Sequence, residues 1–144
     1  MEKVRIGVIG CGGIARGKHL PAHKKNPMSE LVAFCDIVVE RAEQAKNNFG
    51  TEECKVYEDY KELLKDKTID AVLVLTHNSE HCRITVDALN AGKHVMCEKP
   101  MAMNYEEAKK MIEARDKSGK VLTIGYQTRY RNDSRYMKQL ADED

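Results

Sequence analysis

The sequence predicts an α/β fold, a doubly wound parallel sheet of six strands in the order 3-2-1-4-5-6. Three observations carry that prediction. Residues 6–15 read I-G-V-I-G-C-G-G-I-A, an apolar run broken by glycines where a helix should start. Asp36 closes the next apolar run, 21 residues beyond Ala15. Further apolar runs alternate with amphipathic stretches, the pattern that right-handed βαβ crossovers leave in a sequence. No internal repeat, low-complexity tract or linker interrupts the pattern, so residues 1–144 read as one domain.

Val4–Ile9 is near-continuously apolar, as a parallel strand covered on both faces should be. The first helix is expected from about Gly12 and no further than Leu20, because Pro21 lacks an amide and crowds the preceding turn. Leu31–Asp36 is the second strand. Glu40–Asn48 is helical, with Ala42, Ala45 and Phe49 on one face and Gly50 as its stop. Lys55–Tyr57 is a weak third strand, Tyr60–Leu64 a short helix, and Ala71–Leu75 (A-V-L-V-L) the clearest buried strand. Ser79 is expected to cap a helix running through Ala91, with Gly92 just beyond its end. His94–Cys97 is the fifth strand. Asn104 and Glu107 pair as N-cap and third-position acid of a helix to about Ser118, which Gly119 closes. Val121–Gly125 is the sixth strand, and Asp133 is placed to cap a last helix.

Composition narrows the function. Hydrophobic residues make up 42% and charged residues 33%, proportions of an ordinary water-soluble domain with a real core. The net charge is +1 with no basic block, so nothing argues for a nucleic-acid partner. No apolar run approaches the roughly 20 residues of a membrane helix. The first strand starts at Val4, which leaves no room for a signal peptide, and the expected location is cytoplasmic. Five cysteines, none in a C-x-x-C pair, fit free thiols in a reducing compartment.

The glycine turn is the centre of the reading. In G-x-G-x-x-A, Gly10 and Gly12 let backbone approach a pyrophosphate with no Cβ in the way, Gly13 adds freedom, and Ile14 follows at the helix start. The helix N-terminus offers unpaired amides and a partial positive charge to phosphates. Asp36 is placed to hold two ribose hydroxyls, its alternative being an acid that caps its own loop. A carboxylate there repels a 2′-phosphate, so NAD is expected over NADP; Ile37 and Val38 supply no cation, although Arg41 lies one helical turn on. Cys11 reads as a small packed side chain rather than a redox group, having no basic partner nearby.

In open α/β sheets ligands lie beyond the carboxyl ends of the strands. Thr76, His77 and Asn78 end the fourth strand there, and the hydroxyl and amide suit ribose or nicotinamide groups. His77 and His81 have a metal-like spacing, but no third ligand presents itself, and no metal is expected. Glu98-Lys99-Pro100 ends the fifth strand. Lys99 is either a solvated loop lysine or the group that binds a substrate hydroxyl and eases its proton loss, and Glu98 can position it.

Beyond these local readings, the whole chain resembles the N-terminal half of the Gfo/Idh/MocA oxidoreductases. The resemblance is carried by residues 6–22 (I-G-V-I-G-C-G-G-I-A-R-G-K-H-L-P-A), 34–36 (F-C-D), His81, 91–100 (A-G-K-H-V-M-C-E-K-P) and 124–130 (I-G-Y-Q-T-R-Y). It implies a Rossmann domain of a nicotinamide-dependent dehydrogenase for sugars, polyols or related hydroxy compounds. It further implies that Gly10, Gly12, Asp36, Thr76, Asn78, His81 and Glu98 contact cofactor, that Lys99 is catalytic and meets the reacting hydroxyl, and that Arg129 lines the substrate site. His77 departs from the family's usual proline in this loop. Family members carry a second domain with an Asp-x-x-x-His-type pair, and full-length relatives often form homo-oligomers through it. The charged A-D-E-D ending reads as a cut helix, so the expectation is a cofactor domain, monomeric by itself, that binds NAD without turning over a sugar. Two rival readings stand beside it: a separate NAD-binding module that senses redox state or regulates a partner, and a decayed sheet domain acting as an interaction surface. Retention of Glu98, Lys99 and Arg129 favours the enzyme, because a sensor needs no substrate-facing cation.

Overall fold

A computed structural model describes residues 2–143; Asp144 of the terminal A-D-E-D stretch lies outside the described residues. Six parallel strands pair in the order β3-β2-β1-β4-β5-β6. They are β1 (Val4–Ile9), β2 (Ser29–Cys35), β3 (Lys55–Tyr57), β4 (Ala71–Val74), β5 (His94–Cys97) and β6 (Leu122–Ile124). Helices α1 (Leu20–Lys25), α2 (Val39–Phe49), α3 (Tyr60–Lys65), α4 (His81–Asn90) and α5 (Tyr105–Ser118) form the crossovers, and α6 (Asn132–Glu143) follows β6.

Strand alternation sorts the core into two layers. Val72, Val74, Val95 and Cys97 face Leu63, Leu89 and Met111 from α3, α4 and α5. Val8, Leu31, Phe34 and Leu73 face Ala15, Leu20, Ala42 and Ala45 on the other side. Because both faces are covered, the central strands need apolar residues at nearly every position, which is why β1 and β4 were conspicuous as sequence.

Three local expectations are corrected, and a fourth holds for a different physical reason. The first helix does not stop before Pro21 but runs over residues 13–25. A π-helical turn, Ala15–His19, precedes α1, and the Leu20 amide reaches back five residues to the Ala15 carbonyl. The wider turn gives the proline ring room, and Pro21 lies inside the continuous helix at the start of its α-helical part. Ser79 caps nothing. A 3₁₀ turn, Asn78–Glu80, leads into α4 and is closed by the Glu80 amide on the His77 carbonyl at 2.9 Å. Gly50 ends α2 at φ −97, so handedness is not its reason; a Cβ there would stand 2.8 Å from the Phe34 ring and 2.9 Å from Cys54 Sγ. The last helix starts at Asn132, which puts Asp133 inside its first turn, where Oδ1 accepts the Ser134 amide at 2.7 Å. Asn104 does cap α5, its Oδ1 accepting the Glu107 amide at 2.9 Å, and Gly92 and Gly119 have φ +77 and +65.

The amino-terminal edge of the sheet carries a polar knot. Arg5 donates to Asp70 through its amide, Nε and Nη2 at 2.9, 3.0 and 2.8 Å. Lys93, buried, donates to the Asp66 and Ile69 carbonyls at 2.7 and 2.9 Å. The Asp66 carboxylate accepts from Lys55, Tyr57 and Thr68. Burial alone would raise the pKa of Asp66, but these donors outweigh it and hold the acid well below the ordinary carboxylate value of 3.8. A depressed acid stabilises the fold fully above its unfolded value and loses that contribution as pH falls through the folded one. Asp66→Asn should therefore cost about 2 kcal/mol at neutral pH. It should also flatten the loss of stability below pH 3.8, as measured by urea melts across that range.

Candidate functional site

The carboxyl ends of β1, β2 and β4 open into a cleft of about 500 Å³. Its floor is the glycine turn. Gly10 has φ +94, and a Cβ there would meet the Leu75 carbonyl oxygen at 2.7 Å, so this position belongs to glycine on the protein's own account. Gly12 and Gly13 differ: a Cβ on either meets nothing within 4 Å and would project into free space. Beyond them the helix begins, and the Arg16 amide is the first to find a helical acceptor, the Gly12 carbonyl at 3.1 Å. Among the described residues the amides of Gly12, Gly13 and Ile14 donate to no protein group. The cleft thus offers three free N–H groups and the positive end of a helix to an anion, in a cradle that side chains at 12 and 13 would fill.

Asp36 forms the wall beside β2. It is 8% exposed and already tied: Oδ2 accepts the Cys11 amide and Oδ1 the Val38 amide, both at 2.9 Å. Each oxygen retains a lone pair, so the carboxylate can hold its loop and still accept hydroxyls from the cleft. Arg41 places Nη1 4.0 Å from Oδ1 and lines the same cleft with Arg16. The residue that sequence spacing put one turn away therefore stands directly beside the acid.

Cys11 is fully buried between the glycines and donates to the Cys35 carbonyl. Burial, with Asp36 nearby, pushes its thiol up to about 12, so it supplies no thiolate. Thr76 and His77 border the cleft from the end of β4. Ile37, 85% exposed, and Ile14 give it apolar surface suited to a flat ring. Tyr60 and Arg83 close it between α3 and α4, with the guanidinium 5.2 Å above the ring, Arg83 donating to the tyrosine oxygen at 2.9 Å and that hydroxyl donating to Asp87 at 2.6 Å.

Of the residues singled out from the sequence, Gly10, Gly12, Gly13, Ile14, Asp36, Thr76 and His77 line this cleft. The others lie elsewhere. Asn78 is exposed at the start of the 3₁₀ turn. His81 is 1% exposed, with Nδ1 2.7 Å from the Pro100 carbonyl and Nε2 3.2 Å from that of Thr76. Its ring ties the loops after β4 and β5 together. Glu98 and Lys99 stand at the end of β5, one strand further along, with the lysine side chain exposed and its amide donating to Glu98 Oε2 at 2.8 Å. Arg129 is exposed on a 3₁₀ turn after β6. Sequence reasoning missed Arg16, which the π turn after the glycine motif carries, and Tyr60 and Arg83, whose place in the wall depends on how α3 and α4 pack.

Comparison with known proteins gives one consistent picture. Residues 4–126 match the model of an oxidoreductase family with an NAD-binding Rossmann fold. An inositol 2-dehydrogenase of Salmonella typhimurium is 37% identical over 142 residues, 96% of this chain and 41% of that protein. A D-glucoside 3-dehydrogenase of Escherichia coli is 34% identical, covering 94% of this chain and 38% of its own length. A scyllo-inositol dehydrogenase from Lactobacillus casei, solved with NAD(H) and scyllo-inositol, superposes with a TM-score of 0.90 at 28% identity over 99% of this chain and 42% of that one. A 3-ketoreductase from Actinomadura kijaniata, solved with NADP and TDP-benzene, gives 0.91 at 30% identity over 99% of this chain and 43% of that one. The chain spans about two fifths of the length of the curated relatives it matches.

Proposed function

The chain belongs to the Gfo/Idh/MocA oxidoreductase family, and from that premise we propose that it holds the cofactor of an NAD-dependent dehydrogenase acting on a CH–OH group of an inositol, sugar or related polyol. The observation that supports this best is the row of free amides at Gly12, Gly13 and Ile14 with the Asp36 carboxylate across the cleft. Donors for a pyrophosphate and acceptors for a ribose diol stand on adjacent strands, as a dinucleotide requires. Arg16 adds a cation beside the phosphates.

A nicotinamide held here would supply the hydride acceptor or donor, and the chain's residues supply binding and proton control. The glycine turn fixes the pyrophosphate, Asp36 orients one ribose, and Ile14 and Ile37 exclude water from the rings. Thr76 and His77 meet the cofactor at the end of β4, and Asn78 is at hand beside them. Lys99 holds the substrate hydroxyl and favours release of its proton, and Arg129 lines the substrate side. Five buried, unpaired cysteines suit a reducing cytosol. The 144 residues span the cofactor-binding part of such an enzyme, about two fifths of the length of the curated relatives matched.

Calorimetric titration tests the reading. NAD should bind one to one and raise the melting temperature of the protein. Absence of both heat and thermal shift at saturating NAD would overturn it.

A further inference from the structure

The π-helical turn Ala15–His19 ends on a histidine whose Nε2 lies 2.8 Å from Glu98 Oε1. The two residues are 79 positions apart in the sequence, and their side chains are only 14% and 12% exposed. The other oxygen of Glu98 accepts the Lys99 amide at 2.8 Å. Gly125, leaving β6, lies against the same carboxylate, where a Cβ would come within 3.3 Å of Oε1. Glu98 is therefore fixed by a helix, by its own turn and by the neighbouring strand.

The position of this assembly gives it a partner. In the order β3-β2-β1-β4-β5-β6, Asp36 ends β2, the glycine turn ends β1, and Glu98 ends β5. A dinucleotide with one ribose on Asp36 and its pyrophosphate on the amides after β1 must send its second nucleoside away from β2, across β4 and toward β5. The nicotinamide half then arrives beside Glu98 and Lys99, while the adenosine half stays on the far side of the glycine turn.

We propose that His19 is a positioning residue for the nicotinamide half of the cofactor, an assignment that rests on the dinucleotide reading above. By donating to Glu98 it fixes the carboxylate and, through the Lys99 amide, the backbone of the turn that presents the lysine. It touches neither the phosphates nor the adenosine. A wide helical turn at this point is in keeping with the use of such turns at functional sites.

The test compares NAD with ADP, which keeps the adenosine and both phosphates but lacks the whole nicotinamide ribonucleoside. His19→Leu should weaken NAD roughly tenfold and leave ADP within about twofold, since its contacts are confined to Asp36 and the glycine turn. His19→Gln, which restores an N–H donor at similar reach, should recover most of the loss. Equal weakening of both ligands, weakening of neither, or a His19→Gln variant as poor as His19→Leu would each overturn the assignment. Should His19→Leu fail to fold, the imidazole NMR resonances of the unsubstituted protein decide it: NAD moves those of His19 and ADP does not, and identical responses would refute the proposal. An unsubstituted protein that binds neither compound would overturn the dinucleotide reading itself, and this assignment with it.

Discussion

Gly12→Ala is expected to leave the melting temperature unchanged or slightly raised and to weaken NAD by roughly a hundredfold, about 2.7 kcal/mol. The protein has no objection to a methyl group there: nothing lies within 4 Å of it, and the residue is not among the positive-φ glycines. Replacing such a glycine by alanine restricts the unfolded chain and contributes about 0.4–1 kcal/mol. The whole penalty falls on the ligand, because the added carbon occupies the cradle over the free amides. Gly10→Ala should do the reverse. At φ +94, with a backbone oxygen 2.7 Å from the new carbon, conformational strain and collision add to about 3–5 kcal/mol. A shift of that size lowers the melting temperature by roughly 10 °C or more in a domain of this length. Two glycines two residues apart thus separate foldability from binding. A Gly12→Ala protein that keeps full affinity would remove the pyrophosphate from this turn.

Asp36→Ala carries the second large effect. The unsubstituted protein should prefer NAD to NADP, because a 2′-phosphate would face a buried carboxylate. Without the carboxylate the ribose loses its acceptor and the Cys11 amide loses its partner at 2.9 Å, which together should weaken NAD roughly thirtyfold or more. Arg41, 4.0 Å from the acid, is then left without its counter-charge at the same wall. The affinity ratio should move toward NADP, since a guanidinium suits phosphate. Parallel titrations of both cofactors on both proteins read the result; tighter NADP binding by the unsubstituted protein would end the role given to Asp36.

What could be read from the sequence was what short-range chemistry determines. Val4–Ile9 and His94–Cys97 appear with the expected bounds because strands paired on both edges and covered on both faces demand apolar runs; Lys55–Tyr57 keeps its bounds too, although it is an edge strand with no fully buried residue. Asn104, Gly92 and Gly119 mark helix ends through their own side chain or handedness. The misses come from interactions that spacing does not encode. Pro21 stops a regular helix, yet a π turn just before it accommodates the ring. His81 is buried between two carbonyls, a placement that its spacing from His77 does not encode. His19 finds Glu98 only because the first crossover helix lies beside the end of β5. The phosphate cradle was legible because it is built from consecutive residues; the far end of the cleft was not, because it is assembled from separate crossovers.

The knot of Arg5, Asp66, Asp70 and Lys93 lies at the opposite edge of the sheet from every group assigned to the ligand. Thermal endurance and chemical selectivity are consequently governed by separate margins of one molecule. An engineer can harden the lower margin for heat or acid while leaving the upper margin's choice of cofactor alone, because changes that share no neighbours combine independently.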